Sequence, residues 1–138
     1  MQNIVSLPKE AWPAHEKHRL FSLIERYRKA RVVLISGDIH FYQYYKTPCP
    51  IAKNAYYIYE MTSSGLSHVG NTRFSFANKF IETFSPKTYM LSPKLGTKLN
   101  FGVIEVFGAK RNKTISLQIR GLHNKLYKKL DLQLNDLK

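Results

Sequence analysis

Val32-Val33-Leu34-Ile35-Ser36-Gly37-Asp38-Ile39-His40 is the stretch on which the fold turns. Four apolar residues, three of them β-branched, break off at Ser36-Gly37, as expected for a short strand buried on both faces of a sheet. On its N-terminal side, from Ala14 to Arg31, Leu20, Phe21, Ile24 and Tyr27 recur at spacings that a helix gathers on one face. Helix followed by buried strand predicts an α/β sheet. On the C-terminal side a polar loop is expected through Thr47-Pro48-Cys49-Pro50, then a strand over Tyr56 to Thr62 that stops at Ser63-Ser64-Gly65. Between Gly70 and Leu99 the pattern weakens. Phe74, Phe76, Phe80, Ile81 and Phe84 suit a short helix there, followed by a loop marked by Pro86 and Pro93.

From Phe101 the signals become regular. Phe101–Phe107, Thr114–Arg120 and Tyr127–Leu134 are separated by Ala109-Lys110-Arg111-Asn112-Lys113 and by Gly121-Leu122-His123-Asn124. Ile115, Leu117 and Ile119, then Leu130, Leu132 and Leu134, alternate with the two-residue period of an antiparallel meander. No repeat and no linker divides the chain, so residues 1–138 are expected to form one domain of the mixed α/β (α+β) class.

With 138 residues, 43% hydrophobic and 22% charged, the chain is long enough for one core. No run of eighteen apolar residues is present, which argues against a transmembrane span. Met1 to Trp12 contains Pro8, Lys9 and Glu10 and does not read as a secretory signal; localisation is left undetermined. Lys and Arg number 22 against 9 Asp and Glu, a net charge of +13. Most of the excess lies in residues 70–138. Such a field attracts phosphate esters, nucleic acid and acidic lipid alike. The single Cys49 permits no intrachain disulfide and belongs to no zinc-finger spacing.

Asp38 and His40 follow the end of the first strand, where ligands collect in open α/β sheets, and Gly37 allows an unusual backbone angle there. An Asp-x-His pair can offer a carboxylate oxygen and an imidazole nitrogen to one metal or to neighbouring metals. The same pair also suits a turn cap and a hydrogen-bonded histidine, and spacing alone leaves both open. His15 and His18 share a helix face without a third ligand, and His123 falls in a hairpin turn. Ser63 and Ser64 lack a nucleophile elbow and read as turn residues. Asn112-Lys113-Thr114 is a glycosylation sequon on a turn. Phe41, Tyr42, Tyr44 and Tyr45 suit either a pocket wall or core packing.

Taken in order, Trp12 and a helix carrying Arg19, the strand Val32–Ile35, Ser36-Gly37-Asp38-Ile39-His40-Phe41, Tyr57–Thr62 leading into Ser63-Ser64-Gly65-Leu66-Ser67-His68, and Asn100-Phe101-Gly102-Val103-Ile104-Glu105 resemble the C-terminal part of a PhoD-like metallophosphatase, the alkaline phosphatase D family. That family belongs to the calcineurin-like metallophosphoesterases. The resemblance implies a four-layer sandwich of two mixed sheets between helices, with a dinuclear site of divalent or trivalent metal ions at the strand ends. It further implies that Asp38 and His40 are metal ligands and catalytic residues, and that the substrate is a phosphate ester attacked by a metal-bound hydroxide. Beside that site, His68 suits either a place at its mouth or a hydrogen-bonded structural role, and Tyr42, with Tyr44, suits either the site mouth and contact with a leaving group or core packing. The family's earlier motifs do not occur in the 36 residues before Gly37, and Gly70-Asn71-Thr72 lacks the histidine of a Gly-Asn-His segment and reads as a turn. The expectation is therefore a C-terminal fragment, inactive alone and requiring an N-terminal phosphatase segment as partner. Two other readings stay open: a basic module binding nucleic acid or other anions by phosphate neutralisation and base stacking, and a noncatalytic relic whose strand Val32–Ile35 exposes an open edge.

Overall fold

A computed structural model describes residues 13–27, 31–38, 40–49, 51–52, 57–69, 89–91, 96–109 and 112–137. Helix α1, Ala14–Arg26, starts after Pro13, whose carbonyl accepts the Lys17 N–H at 3.0 Å. Glu16 in its first turn and Arg26 in its last both suit the helix dipole. Phe21 and Ile24 are its buried residues. The helix ends five residues before the expected Arg31, and Tyr27, in the closing turn, is 57% exposed instead of completing the apolar stripe.

The first sheet contains β1 (Val33–Ser36), β2 (Tyr42–Pro48), β3 (Tyr57–Ser63) and β4 (Tyr89–Met90), in the order β1-β3-β2-β4. β1 runs parallel to β3, with Val33 opposite Tyr59 and Ser36 opposite Thr62. β2 is antiparallel to both its neighbours. Two expectations are corrected here. The strand expected to be buried on both faces is an edge strand, paired among the described residues with β3 alone, and its Ile35 is 52% exposed. Thr47-Pro48, expected in a loop, are the last two residues of β2, the strand flanked by β3 and β4. Pro48 is tolerated because it sits at the strand's end, where a missing ladder donor matters least. The expected helix over Phe74–Phe84 and the turns at Gly70-Asn71-Thr72, Pro86 and Pro93 lie outside the described residues.

The second sheet is the expected meander. Its strands β5 (Phe101–Phe107), β6 (Thr114–Arg120) and β7 (Leu126–Gln133) pair antiparallel in chain order, with a register shift between Ile119 and Arg120. Leu134 belongs to a terminal 3-10 turn rather than to β7. His123 and Asn124, in the β6–β7 connection, take positive φ of 54° and 59°, an uncommon region that Asn and His enter more readily than most residues. Asn112 is exposed in the β5–β6 turn.

Strand alternation then sets the layers. Tyr42, Tyr44, Tyr59 and Met61 project from one face of the first sheet and pack with Leu117, Ile119, Leu132 and Leu137. Ile58, on the opposite face, packs with Phe21, Ile24 and Cys49. The described residues thus form a helix, a mixed sheet and an antiparallel sheet stacked in three layers. Tyr44 fastens the two sheets by donating its hydroxyl to the Leu117 carbonyl at 2.8 Å.

Lys128 reaches from β7 toward β2, donating to the Gln43 side-chain carbonyl at 3.1 Å beside the Tyr42 ring. Burial lowers its ammonium from 10.5 to about 8. Burial also raises the Tyr42, Tyr44 and Tyr45 hydroxyls above their ordinary 10.0. Between those limits the unfolded chain binds the Lys128 proton more tightly than the folded one, so stability rises with pH from about 8 to 10; above 10 the unfolded tyrosines ionise first and stability falls. Urea midpoints across this range should therefore peak near pH 10, with the rise flattened in Lys128→Met. Equal profiles for the two proteins would refute this.

Candidate functional site at the parallel strand ends

Because β1 and β3 are parallel neighbours in register, their carboxyl ends lie side by side. The Ser36 and Thr62 hydroxyls meet at 2.6 Å just before the strands end. The two loops that leave these ends, residues 37–40 and 64–68, therefore share one rim. That juxtaposition follows from topology alone: an antiparallel pair would send them to opposite ends of the sheet.

Short-range contacts then join the loops. The His40 N–H donates to Ser64 Oγ at 2.9 Å. A side chain on Gly37 would place its Cβ 3.3 Å from that of Ser64, so glycine serves close approach here. The unusual backbone angle that Gly37 would allow belongs instead to Asp38 (φ 70°) and His40 (φ 56°). Both residue types enter that region more readily than most, and strain of this kind gathers at functional sites. The His40 and His68 rings lie 5.9 Å apart between centroids, tilted by 57°, and Ser67 Oγ hydrogen-bonds His68 Nδ1 at 2.9 Å. Asp38, His40 and His68 are all exposed, leaving an oxygen donor and two imidazoles on one solvent-facing rim.

The rim is held from behind by Asn100, which is 2% exposed. Its Oδ1 accepts from Ser63 Oγ at 2.8 Å and from the Gly65 N–H at 3.4 Å, its Nδ2 donates to the Lys98 carbonyl at 2.8 Å, and its own N–H donates to the Gly65 carbonyl at 2.8 Å. Gly65 is required beneath it, since a Cβ there would lie 2.0 Å from Nδ2. Next in the chain, Gly102 brings β5 against β3: a Cβ there would lie 2.9 Å from the Met61 methyl. The Asn-Phe-Gly segment thus has a physical task, holding the Ser-Ser-Gly loop from the second sheet. Asn100 carries no ionisable group, and its position in the sequence alone gave no reason to assign it that task.

The other candidates are not brought to this rim as expected. Tyr42 is 6% exposed and stacked on Tyr127 with ring centroids 5.6 Å apart, so it is a wall between the sheets rather than an open mouth. Tyr44 and Tyr45 are likewise buried. Ser63, expected in a turn, is the last residue of β3, and Ser64 follows it, each engaged as above. His15 pairs with Glu16 at 3.6 Å on exposed helix surface, and His18 is exposed on the same helix. Among the described residues, no three His, Cys, Asp or Glu side chains come together to hold a metal ion. No described helix is long and apolar enough to cross a membrane. Comparison with protein-family models, with curated proteins and with solved structures finds no match to this chain.

Proposed function

We propose that this chain is the C-terminal portion of a PhoD-like metal-dependent phosphoesterase, supplying Asp38 and His40 to a dinuclear site that a companion N-terminal segment completes. The observation carrying this reading is the parallel β1–β3 pair, which sets Gly37–His40 and Ser63–His68 side by side and brings two imidazoles within 5.9 Å. Support also comes from the layering: a helix, a mixed sheet and a second sheet match three of the four layers such a sandwich would have, and β1 lies where further strands would extend the first sheet. His68 is placed beside the ligands rather than among them, with Ser67 fixing its ring.

The donors assigned, the Asp38 carboxylate and the His40 imidazole, have the right chemistry for a hard or borderline cation, but this chain alone does not assemble a full coordination set. The metals, when bound, would polarise the phosphoryl oxygens and supply hydroxide. This chain's own share is to fix the two motif loops through Ser64 and Asn100. Phosphate monoesters and diesters are the substrate class.

The competing nucleic-acid reading loses the tyrosines of the first sheet as stacking partners. Tyr42, Tyr44, Tyr45 and Tyr59 are at most 9% exposed, and Lys46 lies 4.3 Å from the Tyr57 ring centroid, inside the protein's own cation–aromatic contacts.

Paramagnetic broadening by Mn2+ in amide NMR spectra tests the proposal even at weak affinity. Broadening is expected to centre on residues 36–40 and 63–68 and to be lost in Asp38→Asn and His40→Asn. Asparagine is chosen because it tolerates positive φ, so loss of the ligand is not confused with loss of the loop. Broadening that both variants leave unchanged would overturn the assignment.

A further inference from the structure

β5 ends the second sheet, and among the described residues it pairs on one side only. Its seven residues, Phe-Gly-Val-Ile-Glu-Val-Phe, are apolar on both faces: Phe101, Ile104, Val106 and Phe107 are 37, 49, 60 and 49% exposed. Among the described residues the usual protections of an edge are missing. The strand has no proline and no lysine, its one charge, Glu105, is held by the Gln118 side chain, and the register shift lies at the far β6–β7 seam. A seven-residue apolar edge of this kind is a template for another strand.

We propose that the strand it receives is β5 of a second copy, paired antiparallel about Ile104. The residues favour self-pairing because they are arranged almost palindromically. A two-fold axis through Ile104 sets Phe101 opposite Phe107 at both ends, Gly102 opposite Val106, and Val103 opposite Glu105. All four exposed apolar residues then gain an apolar or glycine partner across the seam, and the two meanders merge into one six-stranded sheet. The neighbouring registers are worse. An axis through Glu105 opposes two carboxylates, which is unfavourable for directly facing charges, and an axis through Val103 leaves Val106 and Phe107 overhanging. Axes between residues would pair opposite faces of the strand, which the antiparallel ladder forbids.

This assignment is independent of the metal reading. It also has a distinctive salt response: with +13 on each copy and an apolar seam, added salt screens the repulsion and strengthens the dimer. Assembly bridged by a polyanion would weaken instead.

Sedimentation equilibrium of the full chain should give a dimer whose population grows with salt, and Ile104→Lys, which faces two ammonium groups across the axis, should abolish it. In a Cys49→Ser background, Ile104→Cys should cross-link on mild oxidation, since directly opposed strand residues lie within disulfide reach. Ile35→Cys, equally exposed on β1, should not. A chain that stays monomeric as concentration and salt rise, or equal cross-linking at both positions, would overturn the proposal, and a partner other than a second copy on β5 would give the first of these results. Should Ile104→Lys fail to fold by circular dichroism, the cysteine pair decides alone.

Discussion

Asn100→Ala is expected to cost about 3 kcal/mol of folding stability, because the truncation strands three polar groups at once. The Ser63 hydroxyl, the Gly65 N–H and the Lys98 carbonyl all point at the amide that would be removed, and the side chain is buried enough that water does not replace it freely. The loss should be local as well as global. With the clamp gone, the turn after β3 is no longer referred to the second sheet, and the His40–His68 juxtaposition should loosen. Urea denaturation measures the first effect and ring-proton contacts between His40 and His68 the second. Asn100→Asp sharpens the test. It keeps an acceptor for Ser63 and Gly65 but loses the donor to Lys98 until the carboxyl is protonated, so its deficit should shrink as pH falls. A loss under about 1 kcal/mol in Asn100→Ala, with the histidine contacts intact, would show that the loop is held by other means.

Gly96→Ala should be as damaging as deleting the aromatic ring above it. A Cβ at Gly96 would lie 1.8 Å from Tyr42 Cζ, and two backbone hydrogen bonds, Tyr42 N–H to the Gly96 carbonyl at 2.9 Å and Gly96 N–H to the Tyr42 carbonyl at 3.1 Å, fix the glycine in place. The ring has nowhere easy to go, since Tyr42 stacks on Tyr127 and Tyr127 in turn rests on Gly121, where a Cβ would fall 2.1 Å from its ring. Expelling Tyr42 forfeits about 3–5 kcal/mol, the range for truncating a large buried aromatic. A double-mutant cycle decides whether the clash is the cause. Tyr42→Ala alone should be costly, but adding Gly96→Ala to it should be nearly free. Additive losses would mean that Gly96 is needed for its backbone and not for the room it leaves.

The meander was legible because sheet and sequence share a period: Ile115, Leu117 and Ile119 alternate on the face that packs inward. β2 was not, and the reason is physical. A strand flanked on both sides and covered on both faces needs no alternation, and Tyr42-Gln43-Tyr44-Tyr45-Lys46-Thr47 buries polar Gln43 and Thr47 along with its tyrosines. β1 failed in the opposite sense. Val33-Leu34-Ile35 has the composition of a doubly covered strand yet stands at an edge, so composition misled where only the neighbour on each side could decide. At the rim, Asp38 and His40 were identifiable from the glycine and the strand end before them. The positive φ at both, and the support from Asn100, arise from contacts across the chain that no local pattern encodes.

Chain order has a last consequence, for the sequence of events in folding. In the meander every strand pairs with its immediate successor, whereas in the first sheet only β2 and β3 do so, while β1 waits for β3 and β2 waits for β4 across the middle of the chain. Closing those loops costs entropy before any contact repays it. The meander should therefore form first and exchange its amide hydrogens last, and the β1–β3 rim should be the reverse. The residues of the rim are then the latest to assemble and the earliest to open, so that local unfolding, well short of global unfolding, governs how long the rim stays intact.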